Sequence, residues 1–178
     1  MALRNTTNSY GSPAKVLHWV TALMLVGLVI VGLIVADMVS GPEKQQLEGL
    51  HISVGLLLLV LMAVRLIWRF LNPSPAGSID TPSWQKAAEQ LTHWGLYATI
   101  FFQILIGVVS EGQRPIAFFG LFEFGPIVAR NQARHEFLEQ VHAWGWIVIA
   151  VLAGIHVLAA LYHHLIRKDD VLKRMTTA

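Results

Sequence analysis

The chain has 178 residues, of which 54% are hydrophobic and only 13% charged, and its mean hydropathy is +0.55; a water-soluble domain of this size carries about 25% charged residues, so the composition points to a membrane protein. The formal charge of +2 is mild, and the basic residues flank apolar runs instead of forming one patch, which argues against a nucleic-acid partner. The absence of cysteine excludes disulfides, iron–sulfur ligation and thioether-linked haem, leaving eight histidines as candidates for holding any metal.

The first fifteen residues, up to Lys15, are polar, and the apolar run behind them lacks a small-residue cleavage site, so a retained helix is expected here and not a cleaved leader. Four apolar stretches follow in order: Val16 to Ala36, Leu50 to Trp68, Leu91 to Ser110 and Phe137 to Ile166. Each approaches the roughly 20 residues that cross a bilayer as a helix. Unpaired backbone groups are not tolerated in lipid, and no run of alternating ten-residue strands suggests a barrel. The expectation is an all-α fold: one domain over residues 1–178, a four-helix transmembrane bundle with helices at about 16–36, 50–70, 88–110 and 136–166.

Loops are marked by Ser40-Gly41-Pro42, by Asn72-Pro73-Ser74-Pro75-Ala76-Gly77 and by the long segment from Glu111 to Arg134, with Thr81-Pro82-Ser83 as the entry to the third helix. Phe118, Phe119, Phe122 and Phe124 in the long loop suggest a segment that lies on the membrane surface or caps the bundle. With four spans both termini share a side. That side holds nine cations (Arg4, Lys15, Arg65, Arg69, Lys86, Arg167, Lys168, Lys173, Arg174) against four on the other (Lys44, Arg114, Arg130, Arg134), so both termini are expected to be cytoplasmic.

Depth then sorts the histidines. His18 opens the first helix on the inner side, and His51 opens the second on the outer side. His142 lies in the outer third of the fourth helix, and His156 lies 14 residues further on. That spacing is about 21 Å of helix and nearly four whole turns, so both face the same way. Two pairs result, His51 with His142 outside and His18 with His156 inside, each drawn from two helices. Polar groups within a membrane are usually kept for function. Histidines facing each other inside a bundle are suited to grip a haem iron from both faces.

Glycines Gly55 and Gly145 share the faces of His51 and His142 and either leave room for a flat macrocycle or allow close helix packing. Arg65, 14 residues after His51, falls at the inner level and is a candidate for a haem propionate; snorkelling to the surface is the rival role, and the favoured one for Arg69. His93 and His163 are candidates for a propionate or a quinone carbonyl, with a simple interfacial histidine an equal account of His93. His164 is expected at the interface and His135 in solvent. Trp19, Trp68, Trp84 and Trp94 suit an aromatic belt, whereas Trp144 and Trp146 offer packing beside the outer site.

Several ordered blocks carry a family resemblance: Leu17-His18-Trp19, His51-Ile52-Ser53-Val54-Gly55, Val64-Arg65-Leu66-Ile67-Trp68-Arg69, His93, Phe119-Gly120-Leu121 with Pro126, Val141-His142-Ala143, His156, and His163-His164 through Lys168-Asp169 to Arg174-Met175. From about Tyr10 to Met175 the chain resembles the bacterial cytochrome b561 family. The resemblance implies a bacterial inner-membrane protein with two haem b groups and the same four histidine ligands that depth selected. The family includes superoxide oxidases, so superoxide outside and ubiquinone in the membrane are the implied reactants. Arg114, Arg130 and Arg134 are then candidates to attract superoxide, opposed by Glu111, Glu123, Glu136 and Glu139.

Two rival classes stand beside this one. The chain is alternatively a di-haem electron-transfer subunit linking the quinone pool to a periplasmic redox protein docked on the outer loop. A haem-free structural or metal-transporting bundle is disfavoured, because no Asp or Glu falls in the apolar interior beside the histidines.

Overall fold

A computed structural model describes residues 2–75 and 82–176. Its frame is four long helices: α1 (Ser12–Asp37), α2 (Pro42–Leu71), α3 (Ser83–Glu111) and α4 (Gln132–Leu161). Four spans long and apolar enough to cross a membrane result, the last continuing from Gln132 to Arg167. The expected four-helix bundle is therefore present. Ala76, Gly77 and Thr81 of the expected middle loop lie outside the described residues.

Every helix starts before its apolar run, and local chemistry explains the extra turns. Proline occupies the first turn of α1 and α2, where its missing N–H is no loss. The polar opening of α2 is helical down to Pro42, with Lys44 and Glu48 paired at 3.9 Å one turn apart. The side chain of Asn131 caps α4 by accepting from the Arg134 N–H at 2.9 Å. At the other end, α4 widens into a π turn over Tyr162–Arg167 and stops at Lys168, which is left-handed. A short α5 (Lys173–Thr176) follows.

The helices pack as two hairpins. α1 lies against α2 and α3 against α4, α2 and α3 join the hairpins, and α1 touches α4 only sparsely. One buried cluster holds them together: Leu28, Leu58, Met62, Tyr97, Ile100 and Ile149. Leu58 lies seven residues past His51, and Ile149 lies midway between His142 and His156, so this apolar plug separates two histidine levels. Outside it the surface is lipid-facing. Leu57 is 45% exposed while its neighbour Leu58 is wholly buried, as helical periodicity demands. In lipid such side chains gain nothing by hiding from water, so packing and hydrogen bonds hold the helices together.

The ends of the bundle nearest the termini, expected to be the inner ones, are laced to both. Asn5 Nδ2 donates to the Asn72 carbonyl at 3.0 Å, Trp19 Nε1 donates to the Met175 carbonyl at 3.1 Å, and Arg167 Nη1 donates to Gln85 Oε1 at 2.8 Å.

The long outer loop contains a small antiparallel hairpin that was expected only as loop: β1 (Ile116–Phe118) pairs with β2 (Phe122–Phe124). Phe119 and Gly120 both adopt positive φ at its turn, which the Leu121 N–H closes by donating to the Phe118 carbonyl at 2.9 Å. The hairpin caps the bundle. Its Phe119 N–H donates to Ser53 Oγ at 2.9 Å, and Ser53 is buried on α2, two residues past His51.

Candidate functional site

At the outer level, the rings of His51 on α2 and His142 on α4 face each other with centroids 6.0 Å apart and planes at 86°. At the inner level, His18 on α1 and His156 on α4 are again 6.0 Å apart, at 57°. Two imidazoles on opposite sides of one metal, each bonded at about 2 Å, place their centroids roughly 6 Å apart. Both pairs thus have the spacing of two ligands sharing one ion, and α4 contributes one ring to each. Two levels of paired histidine nitrogens in an apolar bundle suit haem iron, because imidazole is its ordinary axial donor.

The surroundings of the two levels differ. His142 is gripped from α3: its Nδ1–H donates to the Gln103 carbonyl at 3.0 Å, while Gln103 Nε2 donates back to the His142 carbonyl. The Nδ1 of His51 is buried and has no hydrogen-bond partner among the described residues. Gly55, on the face of His51, has open space where a Cβ would stand, consistent with room for a macrocycle. Gly145 does not share that role. The space above it is filled by the Gln103 side chain, so it serves helix packing. Trp144 is 69% exposed and faces lipid instead of the outer site.

At the inner level, Arg65 Nη2 donates to His18 Nδ1 at 2.8 Å. Its guanidinium stands 5.3 Å from the Tyr97 ring centroid, and that of Arg69 stands 5.3 Å from Trp94 and 5.7 Å from Tyr97. No described carboxylate pairs with either arginine. An arginine has no acceptor, so this contact places the hydrogen of a neutral His18 on Nε2. His93 joins the cluster, its ring centroid 5.1 Å from that of His156, with Glu89 3.9 Å away on its own helix. Arg65 is thus turned toward His18, while Arg69 stacks on aromatic rings of α3.

The π turn brings His163 to the end of the span, where its Nδ1 lies 2.6 Å from Asp169 Oδ2. Burial pushes the Asp169 carboxyl up, but the hydrogen bonds from His163 and from the Val171 N–H, with the charges of His163 and Arg167, outweigh it and hold the group below its ordinary 3.8. His164 is exposed, as expected of an interfacial residue. His135 departs from expectation. It is half-buried and clasps α3, its Nδ1 lying 3.0 Å from the Ser110 carbonyl and 3.1 Å from Ser110 Oγ.

Gln103, Gly107 and Ser53 also serve the site. Gln103 carried a signal, as a lone amide within an apolar span. Gly107 and Ser53 carried none, since their roles depend on a neighbouring element.

A family model described as prokaryotic cytochrome b561 matches residues 9–178. Two proteins of Escherichia coli (strain K12) are similar along nearly their whole lengths. Cytochrome b561 homolog 2 is 32% identical over 180 residues, covering 98% of this chain and 95% of its own. Cytochrome b561 homolog 1 is 30% identical over 176 residues, covering 94% and 97%. A Yersinia pestis protein named probable superoxide oxidase CybB is 25% identical over 166 residues, covering 89% and 90%.

Proposed function

The chain belongs to the prokaryotic cytochrome b561 family, whose business is membrane electron transfer by b-type haem, and from that premise we propose that it is a di-haem superoxide:ubiquinone oxidoreductase. It is a multi-pass protein of the bacterial inner membrane. The observation that carries the finer reading is the repeated pair: two cross-helix histidine couples, each at 6.0 Å, stacked on the two ends of α4.

His51 and His142 hold the outer haem, and His18 and His156 hold the inner one. Haem bound there would supply one-electron transfer, and two histidines at each site would favour outer-sphere chemistry over oxygen binding. With the termini cytoplasmic, the outer loop, with its hairpin and with Arg114, Arg130 and Arg134, faces the periplasm. Two superoxide anions are oxidised there to two dioxygen molecules, and one ubiquinone takes up the two electrons and two protons to become ubiquinol. Arg65 and His93 stand beside the inner pair, and the Arg65 guanidinium, which pairs with no carboxylate among the described residues, would suit a propionate. His163, held by Asp169, presents a hydrogen-bonding imidazole at the inner membrane edge, suited to a quinone carbonyl and to handing over a proton. The name carried by the Yersinia pestis relative supports superoxide as donor.

The test is an optical spectrum of the detergent-purified protein, oxidised and reduced, with pyridine haemochrome quantitation, followed by anaerobic addition of superoxide. Two low-spin b haems per chain, rapidly reduced by superoxide and reoxidised by ubiquinone, are expected. Protein expressed with ample haem that carries none refutes the haem assignment. Two haems that ignore superoxide but accept electrons from a periplasmic redox protein overturn the superoxide reading in favour of a relay subunit.

A further inference from the structure

The ring of His142 lies against the backbone of α3, where a side chain would normally exclude it. A Cβ built on Gly107 would stand 3.0 Å from Cε1 and 3.2 Å from Nδ1 of that ring. One turn earlier on the same helix face is the Gln103 carbonyl, already the acceptor for the next helical turn. The notch at Gly107 lets the imidazole reach this carbonyl at 3.0 Å. The Gln103 amide then returns across the same gap to the His142 carbonyl, and it fits because Gly145 on α4 has no side chain. Gln103 is 8% exposed, so this exchange is shielded from competing water.

We propose that Gln103 and Gly107 are the positioning residues of the outer site, fixing the tautomer and rotation of His142 and thereby the affinity and potential of the group it binds. The proposal rests on the reading that His142 is an iron ligand. A neutral imidazole that donates from Nδ1 keeps its lone pair on Nε2, the nitrogen free to face the bundle. Donation to a carbonyl also makes the ring a stronger base, as outer hydrogen bonds do for metal-bound histidines generally. Its partner across the site lacks such a grip. His51 lies against a shallower notch, 3.3 Å from a Cβ built on Gly32, and its Nδ1 has no partner among the described residues. The orientation of the outer pair is therefore set from the α3–α4 side.

Gly107→Ala presses the ring back by a few tenths of an ångström and so strains its bond to the Gln103 carbonyl, and Gln103→Met removes the return bond at nearly constant volume. Gly27→Ala is the control, because a Cβ there meets nothing within 4 Å. Each full-length protein is purified with haem. The outer and inner signals, assigned by His51→Ala and His18→Ala, are followed by low-temperature electron paramagnetic resonance and redox titration. In Gly107→Ala the outer haem should bind about tenfold to a hundredfold more weakly. Its low-spin signal should move and its potential rise, with the inner haem unchanged. Gln103→Met should move the same signal by less, and Gly27→Ala should move nothing. Gly107→Ala and Gln103→Met proteins whose outer signal matches wild type, or whose two haems shift alike, overturn the clamp. If Gly107→Ala does not accumulate, Gln103→Met alone decides by the same criterion. Wild-type protein without haem removes the premise and the clamp with it, whereas wild type with two haems and an unmoved outer signal removes the clamp alone.

Discussion

On the proposed di-haem reading, the inner level holds three histidines, and their spacing selects the two that would share an iron. His156 has His18 at 6.0 Å and His93 at 5.1 Å between ring centroids. Metal–nitrogen bonds of about 2 Å on opposite sides of one ion need roughly 6 Å, so the His93 ring is close to 1 Å too near to face His156 across a metal. His18→Ala should therefore lower the haem content from two per chain to one, removing the inner haem only. His93→Ala should retain both, because the residue lies beside the pair and not across it. Pyridine haemochrome quantitation against protein concentration distinguishes one from two directly, and redox titration shows which component has gone. Arg65 makes the result sharper. It donates to His18 Nδ1, which leaves the hydrogen on Nε2, so ligation of iron by Nε2 requires that contact to be given up. Arg65→Leu should then leave two haems bound while lowering the inner potential, since a buried cation favours the reduced iron. Loss of a haem in His93→Ala together with retention of both in His18→Ala would refute this assignment.

Other perturbations test separate parts of the molecule. Asp169→Asn removes the carboxylate that holds His163, and should slow ubiquinol formation on the order of 10²-fold while reduction of the haems by superoxide stays at the wild-type rate; stopped-flow spectroscopy follows both. Because the folded pKa of Asp169 is lowered, its contribution to stability is fully present above its ordinary 3.8 and is lost as pH falls through the lower folded value. The melting difference between wild type and Asp169→Asn should therefore stay level between about pH 5 and 8 and narrow only below about pH 4. Arg130→Gln should slow reduction by superoxide and flatten its salt dependence, whereas Arg114→Gln should do less, because Arg114 already pairs with Glu111 at 3.4 Å; equal effects would count against steering by Arg130. Ser53→Ala strips the Phe119 N–H of its acceptor, a loss of about 0.5–1.5 kcal/mol, and should raise hydrogen exchange across residues 116–124 without unfolding α2.

What could be read from the residues, and what could not, divides along the range of the interaction. The four spans were legible because lipid demands about 20 apolar residues per helix. The two histidine pairs were legible because helix rise and period convert 14 residues into a height and a face. Neither calculation needs a neighbour. The helix ends ran past the apolar limits because proline, Asn131 and an exposed ion pair sustain polar turns beyond the membrane. The hairpin escaped notice because its strands are three residues each and its turn sets an aromatic residue, Phe119, at positive φ, a place usually filled by glycine or asparagine. That conformation persists because Ser53, more than sixty residues earlier, binds its N–H.

The glycines make the same division at finer scale. Gly55 and Gly145 both follow a histidine by one turn on its own helix, so sequence gives them one role. The fold gives them two, because only at Gly145 does another helix bring a side chain, Gln103, into the vacant space. Gly107 sits on a helix without a paired histidine, where nothing local marks it, yet it is the residue on which the His142 ring rests. Period and depth state which way a side chain points. They do not state how far the facing helix is rotated about its own axis, and that rotation decides which glycine seats a ring. Swapping the two substitutions measures the difference: an added methyl at Gly107 meets the imidazole itself, whereas one at Gly145 meets the far end of a flexible glutamine. Gly107→Ala should therefore change the outer haem directly, and Gly145→Ala should change it only as far as Gln103→Met does, through loss of the same returning amide.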